Sequence, residues 1–347
     1  MDLSNYTPTP QSAFPPRLWF AQKHESLAAQ VSIQRPVDRP AAPCVTLYLN
    51  EGGANFVFKF SPQDCQDPSM QLQGPVPLLR IRKNLSHVQG AEQQLQAFNE
   101  HFRPLFPPQH LIEHELVELD EGAVPALNAS LKRYKRPSNR SGDVMAEDEK
   151  YGLLVTDMSP LPREARLVQL KPKWLAQSPT APRDAKRCRT CALRAQRAAR
   201  GVRTATDAQE SCPLALVSEN VEDRRQAAAA ATQDKTLQVY IVRDALPLFK
   251  TLREKQQEFD ARGVLDDVDD AATADVCKAM TLRDCTLFLH SGPLGIEARL
   301  GDLDMKQPEK LDKWRSVERS LIDEGWYGNA EPGDAWTEEK VCLLSRR

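Results

Sequence analysis

Two lysines flank a proline in the segment RLVQLKPKWL, residues 166–175, and residues of this type at this spacing could bind anions. Pro172 fixes its own φ and favours an extended conformation at Lys171. Because residues two apart in an extended chain face the same way, Lys171 and Lys173 would point together. We interpret the pair as a clamp for phosphate groups. The simpler alternative is a strand end with solvated lysines.

Carboxylates stand beside two later apolar segments that are typical of strands. Asp302 and Asp304 follow the run IEARLG and precede Lys306, and carboxylate oxygens are the hard ligands that Mg²⁺ prefers. Asp284 precedes the run CTLFLHS, where a carboxylate could accept a proton from a hydroxyl group. The alternatives are a polar strand cap for the first pair and an ordinary helix-to-strand turn for Asp284.

A glycine pair lies between two predicted strands in the stretch EGGAN, residues 51–55. Glycine permits a positive φ and a close approach of the backbone to a phosphate, although an ordinary hairpin turn would also explain it. The next strand carries Arg80, Arg82 and Lys83. Strand alternation puts Arg80 and Arg82 on one face and Lys83 on the other, so positive charge is expected one strand away from the glycines.

The eight cysteines of this 347-residue chain do not form the pattern of a disulfide scaffold, which favours a reduced intracellular setting. Cys188 and Cys191 form a C-x₂-C pair, and Cys212 follows. Zinc needs a fourth ligand, and no second C-x₂-C or H-x₃-H pattern is present to supply it. Zinc binding and free thiols therefore both stay open.

Composition limits the classes of function. Hydrophobic residues make up 41% and charged residues 27% of the chain, as in ordinary globular proteins. There is no apolar run long enough to span a membrane and no secretion signal at the start. The net charge is only −2, yet residues 163–203 hold 12 Lys or Arg against 2 Asp or Glu. This pattern favours a local anion site over a nucleic-acid surface.

The elements that must position these residues follow from periodicity. Strands are predicted at residues 45–50, 56–60, 77–83, 111–119, 152–158, 166–171, 237–243, 285–291 and 296–304. Helices are predicted at 90–106, 184–200, 221–233, 244–263, 272–282 and 308–326. We expect the strand at 152–158 to pair with the strand at 166–171. A β-rich first part and an α+β second part predict two lobes that join near residues 152–160.

Taken in order, the motifs GGAN, RIRK, LVTDM, LKPKWL, LRDCTLFL and DLDMKQPEKLDKW resemble those of the inositol-pentakisphosphate 2-kinases of the fungal type. The resemblance covers roughly residues 45–315. It implies an α+β, two-lobed kinase-like fold with a flexible arm at 1–17, an N-terminal lobe with a nucleotide loop at 18–157, and a larger C-terminal lobe at 158–347. The C-terminal lobe would hold the inositol phosphate site, in a cleft, and the metal site.

The resemblance also implies an activity and its participants. The family transfers the γ-phosphate of ATP to the 2-hydroxyl of inositol 1,3,4,5,6-pentakisphosphate, which gives inositol hexakisphosphate (phytate). ATP and Mg²⁺ would be required. We expect inositol pentakisphosphate and ATP as the partners, no nucleic acid, a monomer, and a location in the nucleus or cytoplasm.

The roles implied for individual residues divide into four groups. The nucleotide would be bound by Gly52, Gly53, Ala54, Asn55 and Arg80, and by a hinge of Thr156, Asp157 and Met158 beside the adenine. Asp284 would be the catalytic base, with Lys171 beside it in the catalytic set. Asp302 would hold Mg²⁺. The inositol phosphates would be bound by Lys171, Lys173, Arg194, Lys306, Lys310, Trp314 and Arg140, with Arg136 as the alternative to Arg140.

The sequence also departs from the family pattern. Gln169 stands where the clamp usually begins with Glu, and Leu85, Lys235 and Ala195 stand at positions that usually contact substrate. These changes motivate an alternative hypothesis, in which a degenerate kinase fold binds inositol phosphates or RNA without catalysis. A third hypothesis is a kinase that acts on a less phosphorylated inositol.

Overall fold

The computed structural model of the chain describes residues 17–20, 29–34, 42–62, 77–119, 121–159, 166–202, 211–266, 270–328 and 342–346. The chain divides into two compact units. The first comprises residues 1–96 and 113–157, and the second comprises residues 97–112 and 158–347. The short segment 97–112 thus packs with the later part of the chain.

The first unit is built on a closed seven-stranded sheet. Its strands are β1 (Arg17–Phe20), β2 (Ala29–Gln34), β3 (Ala42–Glu51), β4 (Asn55–Pro62), β5 (Leu78–Arg82), β6 (His114–Leu119) and β7 (Tyr151–Val155). Their order around the sheet is β1-β2-β3-β4-β5-β7-β6. Helix α1 (Ala91–Ala97) follows β5, and helix α2 (Ala123–Leu131) follows β6.

The core of this unit comes from alternate residues of neighbouring strands. Phe56 and Phe58 of β4 pair with Ile81 and Leu79 of β5, and all four are at most 1% exposed. The same alternation buries Lys83, directly after β5, and turns Arg80 and Arg82 to the other face. The predicted division of these three basic residues between the two faces of the strand is therefore confirmed.

The second unit holds a three-stranded antiparallel sheet and most of the helices. Its strands are β8 (Arg166–Leu170), β9 (Thr286–Gly292) and β10 (Gly295–Gly301), with β9 in the centre. Its α-helices are α3 (Arg189–Ala199), α4 (Val221–Ala231), α5 (Lys235–Arg243), α6 (Leu246–Phe259), α7 (Asp270–Leu282) and α8 (Leu311–Asp323). A π-helix at Phe98–Phe102 and a 3₁₀ turn at Arg103–Leu105 continue from α1.

The core of the second unit packs helices against one face of the sheet. Leu287 and Leu289 of β9 are fully buried, together with Phe249 and Leu252 of α6 and Leu237 of α5. Among the described helices, none is long and apolar enough to cross a membrane.

The α+β class predicted from the sequence is confirmed. Two predictions are wrong. Residues 237–243 form α5 and not a strand, because Asp234 caps the N-terminus by accepting hydrogen bonds from the N–H groups of Thr236 and Leu237. Strand β8 pairs with β9 of the second unit and not with β7.

Other differences concern segments for which no element was expected. The prediction has no helix at 123–131 and no strand at 29–34, where α2 and β2 lie. The predicted arm at 1–17 lies outside the described residues except for Arg17, which begins β1.

Candidate active site

One edge of the three-stranded sheet brings together the residues that sequence analysis had selected from three separate segments. Leu170, the last residue of β8, pairs with Leu287 near the start of β9, and Gly301, the last of β10, pairs with Thr286. The segments that follow β8 and β10 and the segment that precedes β9 therefore meet. They carry, in chain order, Lys171, Lys173, Asp284, Asp302 and Lys306.

Asp284 lies at the centre of this cluster and contacts all three lysines. The ammonium of Lys306 donates a 2.7 Å hydrogen bond to Oδ2 of Asp284, and Lys173 donates a 3.4 Å bond to Oδ1. Lys171 donates to the backbone oxygen of Asp284 at 2.8 Å, and its Nζ lies 3.9 Å from Oδ1. Partial burial acts to raise the pKa of Asp284, but Lys306, Lys171 and Lys173 outweigh it and the pKa is lowered. Asp284 is thus ionised at neutral pH.

Asp302 lies beside the same lysine and is about half exposed, with 53% of its side chain accessible. Its Oδ2 lies 3.6 Å from Nζ of Lys171 and accepts a hydrogen bond from the hydroxyl of Thr286. A half-exposed carboxylate at the edge of a cationic cluster can act as a ligand for a hard cation such as Mg²⁺.

Backbone strain marks the same two segments. Lys173 has a φ of 59° and Asp302 has a φ of 56°, and among the described residues these are the non-glycine positions with positive φ. Such conformations cost about 1–3 kcal/mol each and persist only where the surrounding structure holds them. The sequence predicted an extended conformation at Lys171 and a common direction for the two lysine side chains, and it did not predict the positive φ of Lys173. The chain turns at Lys173, where φ is positive, and the ammonium groups of both lysines reach Asp284.

A buried layer holds the turn from inside. The ring of Trp174 packs between the guanidinium groups of Arg283, 3.4 Å from the ring centroid, and Arg189, 4.3 Å from it. Arg283 is paired with the buried Asp260, and Arg189 with the fully buried Glu318. Arg283 directly precedes Asp284, so the layer fixes both the lysine turn and the central carboxylate.

Lys310 and Trp314 lie further along the segment that begins at Lys306. Lys310 ends a 3₁₀ turn at Pro308–Lys310, and Trp314 is in the first turns of α8. Burial and the nearby charge of Lys306 lower the pKa of Lys310. Both side chains are half-buried, and their role in substrate binding stays a prediction.

Arg194 and Lys171 line one pocket, together with Gln169, Ser211 and Pro213. Arg194 projects from α3 and donates a 2.8 Å hydrogen bond to the backbone oxygen of Ser211. The glutamine that replaces the usual acidic residue of the clamp thus faces the same pocket as two cationic side chains.

In the first unit, the predicted nucleotide loop connects β3 and β4. The N–H of Gly52 donates a 2.8 Å hydrogen bond to the oxygen of Asn55, and the oxygen of Ala54 accepts a 2.7 Å bond from the N–H of Lys83. Neither Gly52 nor Gly53 is among the glycines with positive φ. A Cβ added at Gly53 would meet no atom within 4 Å, so the turn itself does not require glycine there.

Glu51 anchors this loop, and sequence analysis had assigned it no role. Its buried carboxylate lies 2.6 Å from Nζ of Lys83 and 2.8 Å from Nε of Arg136, and it accepts a 3.1 Å hydrogen bond from the hydroxyl of Tyr48. Burial acts to raise the pKa of Glu51, but the hydrogen bonds from Arg136 and Lys83 lower it to about 2. Its signal in the sequence was only its place at a strand end.

These contacts bear on the choice between two arginines. Arg136 is committed to Glu51 and to the backbone oxygens of Arg140, Ser141 and Asp143. Arg140 donates one 2.8 Å hydrogen bond, to the backbone oxygen of Glu51. Of the two, Arg140 is the better placed to meet a ligand near the loop.

The remaining residues predicted for the nucleotide lie on two strands of the first unit and just after them. Nη1 of Arg80 lies 3.5 Å from Nε2 of His114. Thr156 exchanges hydrogen bonds with the backbone of Glu113, and Asp157 lies 3.3 Å from Nζ of Lys59. The boundary between the two units falls between Asp157 and the buried Met158.

A cluster of thiols is a further finding. It consists of Cys188, Cys191, Cys212 and Cys342, and the four sulfur atoms all lie within 4.8 Å of one another. Cys342 stands far from the other three in the sequence and in no recognisable spacing with them, so the sequence pattern does not predict it as a fourth ligand.

Comparisons with known proteins agree with the motifs. A model of the family described as inositol-pentakisphosphate 2-kinase matches residues 48–269 and 243–320. The chain is also similar to a curated protein of Yarrowia lipolytica named inositol-pentakisphosphate 2-kinase. The two are 30% identical over 311 residues, which cover 83% of this chain and 94% of the relative.

Proposed function

This chain belongs to the inositol-pentakisphosphate 2-kinase family, and on that premise we propose that it transfers the γ-phosphoryl group of ATP to the 2-hydroxyl of inositol 1,3,4,5,6-pentakisphosphate. The product is inositol hexakisphosphate. The observation that carries this proposal is the ionised Asp284 surrounded by Lys171, Lys173 and Lys306.

The cationic cluster fits the charge of the substrate. A pentakisphosphate presents many negative charges on one small ring, and each phosphate needs two or three charge-assisted donors. Lys171 and Lys173 come from the segment after β8 and Lys306 from the segment after β10, all three contact Asp284, and Arg194 shares a pocket with Lys171. Phosphates on neighbouring carbons of the ring could therefore be bound at the same time.

Asp284 is the candidate base. An ionised carboxylate can accept the proton of an attacking hydroxyl when it lies within hydrogen-bond distance of it. Its lowered pKa makes it a weak base, which is sufficient because phosphoryl transfer depends mainly on positioning and on neutralising charge. The lysines would hold the 2-hydroxyl near this carboxylate through the phosphates on either side.

The finer assignments are part of the same proposal. The loop Gly52–Asn55 and Arg80 would bind the phosphates of ATP, and Thr156–Met158 would border its adenine. A Cβ at Gly53 would meet no atom of the protein, so the turn does not explain why this residue is glycine. A ligand that approaches the backbone closely would explain it. Mg²⁺, held by Asp302, would neutralise part of the nucleotide charge.

A binding protein without catalysis is the weaker alternative. The substituted positions, such as Gln169 and Ala195, motivated it. Gln169 nevertheless lines the pocket of Lys171 and Arg194, and Ala195 is buried beside Arg194. The candidate base and its three lysines are in place, which favours transfer.

The test incubates the purified protein with ATP, Mg²⁺ and inositol pentakisphosphate and separates the products by anion exchange. We expect one new product that co-elutes with inositol hexakisphosphate and forms in step with ADP. An inositol tetrakisphosphate with a free 2-hydroxyl, supplied in a parallel reaction, measures selectivity for the fully charged ring. Binding of inositol pentakisphosphate without release of ADP would refute the kinase proposal and support the binding protein.

A further inference from the structure

We propose that Thr281 is a positioning residue for Asp284 and Lys306, the candidate base and one of the lysines that contact it. The proposal rests on the proposed function, in which these two side chains meet the substrate. Thr281 is the last residue but one of α7, and its side chain is fully buried. A substrate in the cluster therefore does not reach it, and its effect on the reaction passes through its neighbours.

The backbone and the side chain of Thr281 each bind one member of this pair. Its backbone oxygen accepts a 3.0 Å hydrogen bond from the N–H of Asp284. Its hydroxyl oxygen accepts a 2.9 Å bond from the N–H of Lys306, which is 25 residues away in the sequence. The ammonium of Lys306 donates the 2.7 Å bond to Oδ2 of Asp284. The three residues thus form a closed ring of hydrogen bonds.

The helix fixes the direction of the hydroxyl. It donates its single hydrogen to the backbone oxygen of Cys277, which lies 2.8 Å away and one turn earlier on α7, and threonine side chains can make such bonds within helices. A second acceptor, the oxygen of Asp304, is farther away at 3.4 Å. Because its hydrogen is used on the helix, the oxygen serves as the acceptor for the N–H of Lys306. Residues 302–307 form neither a helix nor a strand, so this bond fixes a segment that no regular element holds.

Thr281→Val removes the hydroxyl and keeps the branched shape of the side chain. It leaves the partly buried N–H of Lys306 without its acceptor, and such a loss is costly. We expect kcat/KM for inositol pentakisphosphate to fall by about tenfold or more, with the KM for ATP unchanged. Thr281→Ser keeps the hydroxyl and should stay within about threefold of the wild type. Thr273→Val, the same change at a partly exposed position of α7, is the matched control.

Hydrogen exchange of backbone amides, followed by NMR on the full chain, tests the positioning without an assay of activity. In the wild type, the N–H groups of Asp284 and Lys306 should both exchange slowly. In Thr281→Val, the N–H of Lys306 should exchange about tenfold faster or more. The N–H of Asp284 should stay protected, because its acceptor is a backbone oxygen that the substitution keeps.

Three results would overturn the proposal. The first is rapid exchange of the Lys306 N–H in the wild type, which can be observed whether or not Thr281→Val folds. The second is an equal acceleration of both N–H groups in Thr281→Val, which would mean that the end of α7 unfolds as a whole. The third is a set of wild-type kinetic constants for that variant. The exchange rates depend on no turnover, so this proposal and the proposed function can fail separately.

A different observation, the hydrogen bonds of Gln256, supports a second inference. We infer that Gln256 is a positioning residue for Lys173, which also rests on the proposed function. Its side chain is 1% exposed and lies on α6. Its Oε1 accepts a 3.0 Å bond from the N–H of Leu175, and its Nε2 donates to the oxygens of Lys173 at 2.9 Å and Leu282 at 3.3 Å.

One amide thus ties two segments of the site together. It binds the chain on either side of Trp174, directly after the positive φ of Lys173, and it binds the end of α7, two residues before Asp284. An amide offers both an acceptor and donors, which an apolar side chain of similar size does not. A strained conformation persists only where the surrounding structure holds it, and these bonds supply part of that support for Lys173.

The test is a double-mutant cycle on the affinity for inositol pentakisphosphate, measured by calorimetry with the full chain so that no turnover is needed. Gln256→Met keeps a side chain of similar size and removes all three bonds, and we expect the dissociation constant to rise by about tenfold or more. In a Lys173→Ala background the same substitution should have little further effect. Gln257→Met, at the exposed neighbouring position, is the control.

Equal rises in both backgrounds would overturn the inference, since the effect would then not pass through Lys173. A lower thermal stability with a wild-type dissociation constant for the folded fraction would overturn it as well. A second measurement needs no variant: the N–H of Leu175 should exchange slowly in the wild type, and free exchange would contradict its bond to Gln256. The expected cycle in a protein that releases no ADP would refute the kinase proposal and support the role of Gln256 in binding.

Discussion

Replacement of Asp284 by Asn should separate catalysis from substrate binding. The amide has nearly the shape of the carboxylate but carries no charge and cannot serve as a base. Counting Lys171, Lys173 and Lys306 against Asp284 and Asp302, the cluster carries a net charge of +1, and the substitution raises it to +2. The altered site should attract a polyanion more strongly than the native one.

The magnitudes follow from this geometry. A positioned base contributes about 10²–10⁴-fold to the rate, so kcat should fall by about this factor. The fall corresponds to a loss of about 3–5 kcal/mol of transition-state stabilisation. Two unit charges 4 Å apart interact by about 1 kcal/mol in water and about 4 kcal/mol at a protein surface. Because Asp284 has 46% of its side chain exposed, the lower figure applies, and the KM for inositol pentakisphosphate should fall several-fold.

The assay measures initial rates of ADP release against both substrates, with inositol pentakisphosphate affinity checked by calorimetry. Asp275→Asn is the matched control, because the side chain of Asp275 is 47% exposed and forms an ion pair with Lys278 three residues along α7, and such surface pairs within a helix contribute little. A kcat within about threefold of the wild-type value would mean that Asp284 is not the base. A higher KM together with normal turnover would assign it to binding.

Three further predictions concern the loop of the first unit. Glu51→Gln should destabilise the protein by about 1–3 kcal/mol, because the buried Lys83 and Arg136 lose the charge of their shared partner, whereas Lys83 keeps its ion pair with Asp143 and Arg136 keeps its bonds to backbone oxygens. Urea denaturation measures this, with the exposed Glu147→Gln as a control. Because the pKa of folded Glu51 is lowered from 4.5 to about 2, its stabilisation is fully present above about pH 4.5 and is lost as the pH falls towards 2. The urea midpoint of the wild type should therefore fall more steeply over that range than that of Glu51→Gln, and parallel curves would contradict the assignment. Gly53→Ala should leave the melting temperature unchanged, since a Cβ meets no atom there, but raise the KM for ATP; an unchanged KM would remove the loop from the nucleotide site.

Much of the fold could be predicted from local patterns. The strands at β4, β5 and β9 and the helices at α4 and α8 follow from alternation, helical spacing and turn residues. The strand predicted for the segment LQVYIVR is wrong. Its β-branched and aromatic residues favour a strand, whereas the cap at Asp234 and the burial of Leu237 and Ile241 on one side stabilise a helix. Local propensity is weaker than packing in such a short segment.

The candidate site shows the same limit. The sequence motifs predict Lys171, Lys173, Asp284, Asp302 and Lys306, and the structure brings all five to one edge of a sheet. Glu51, Gln256 and Cys342 cannot be predicted in this way, because a buried acid, a buried amide and an isolated thiol have no spacing that distinguishes them from ordinary residues of their type.

The residue types, their order along the chain and, through six motifs, the family can thus be read from the amino-acid sequence. Which of these residues meet depends on the packing of strands and helices. Strand order places Lys171, Asp284 and Lys306 together although more than a hundred residues separate the first two. The positive φ of Lys173, which the Lys-Pro-Lys pattern did not predict, is held by contacts from α6 and from the buried layer around Trp174. The physical reason is that long-range packing, and not local preference, stabilises a strained turn.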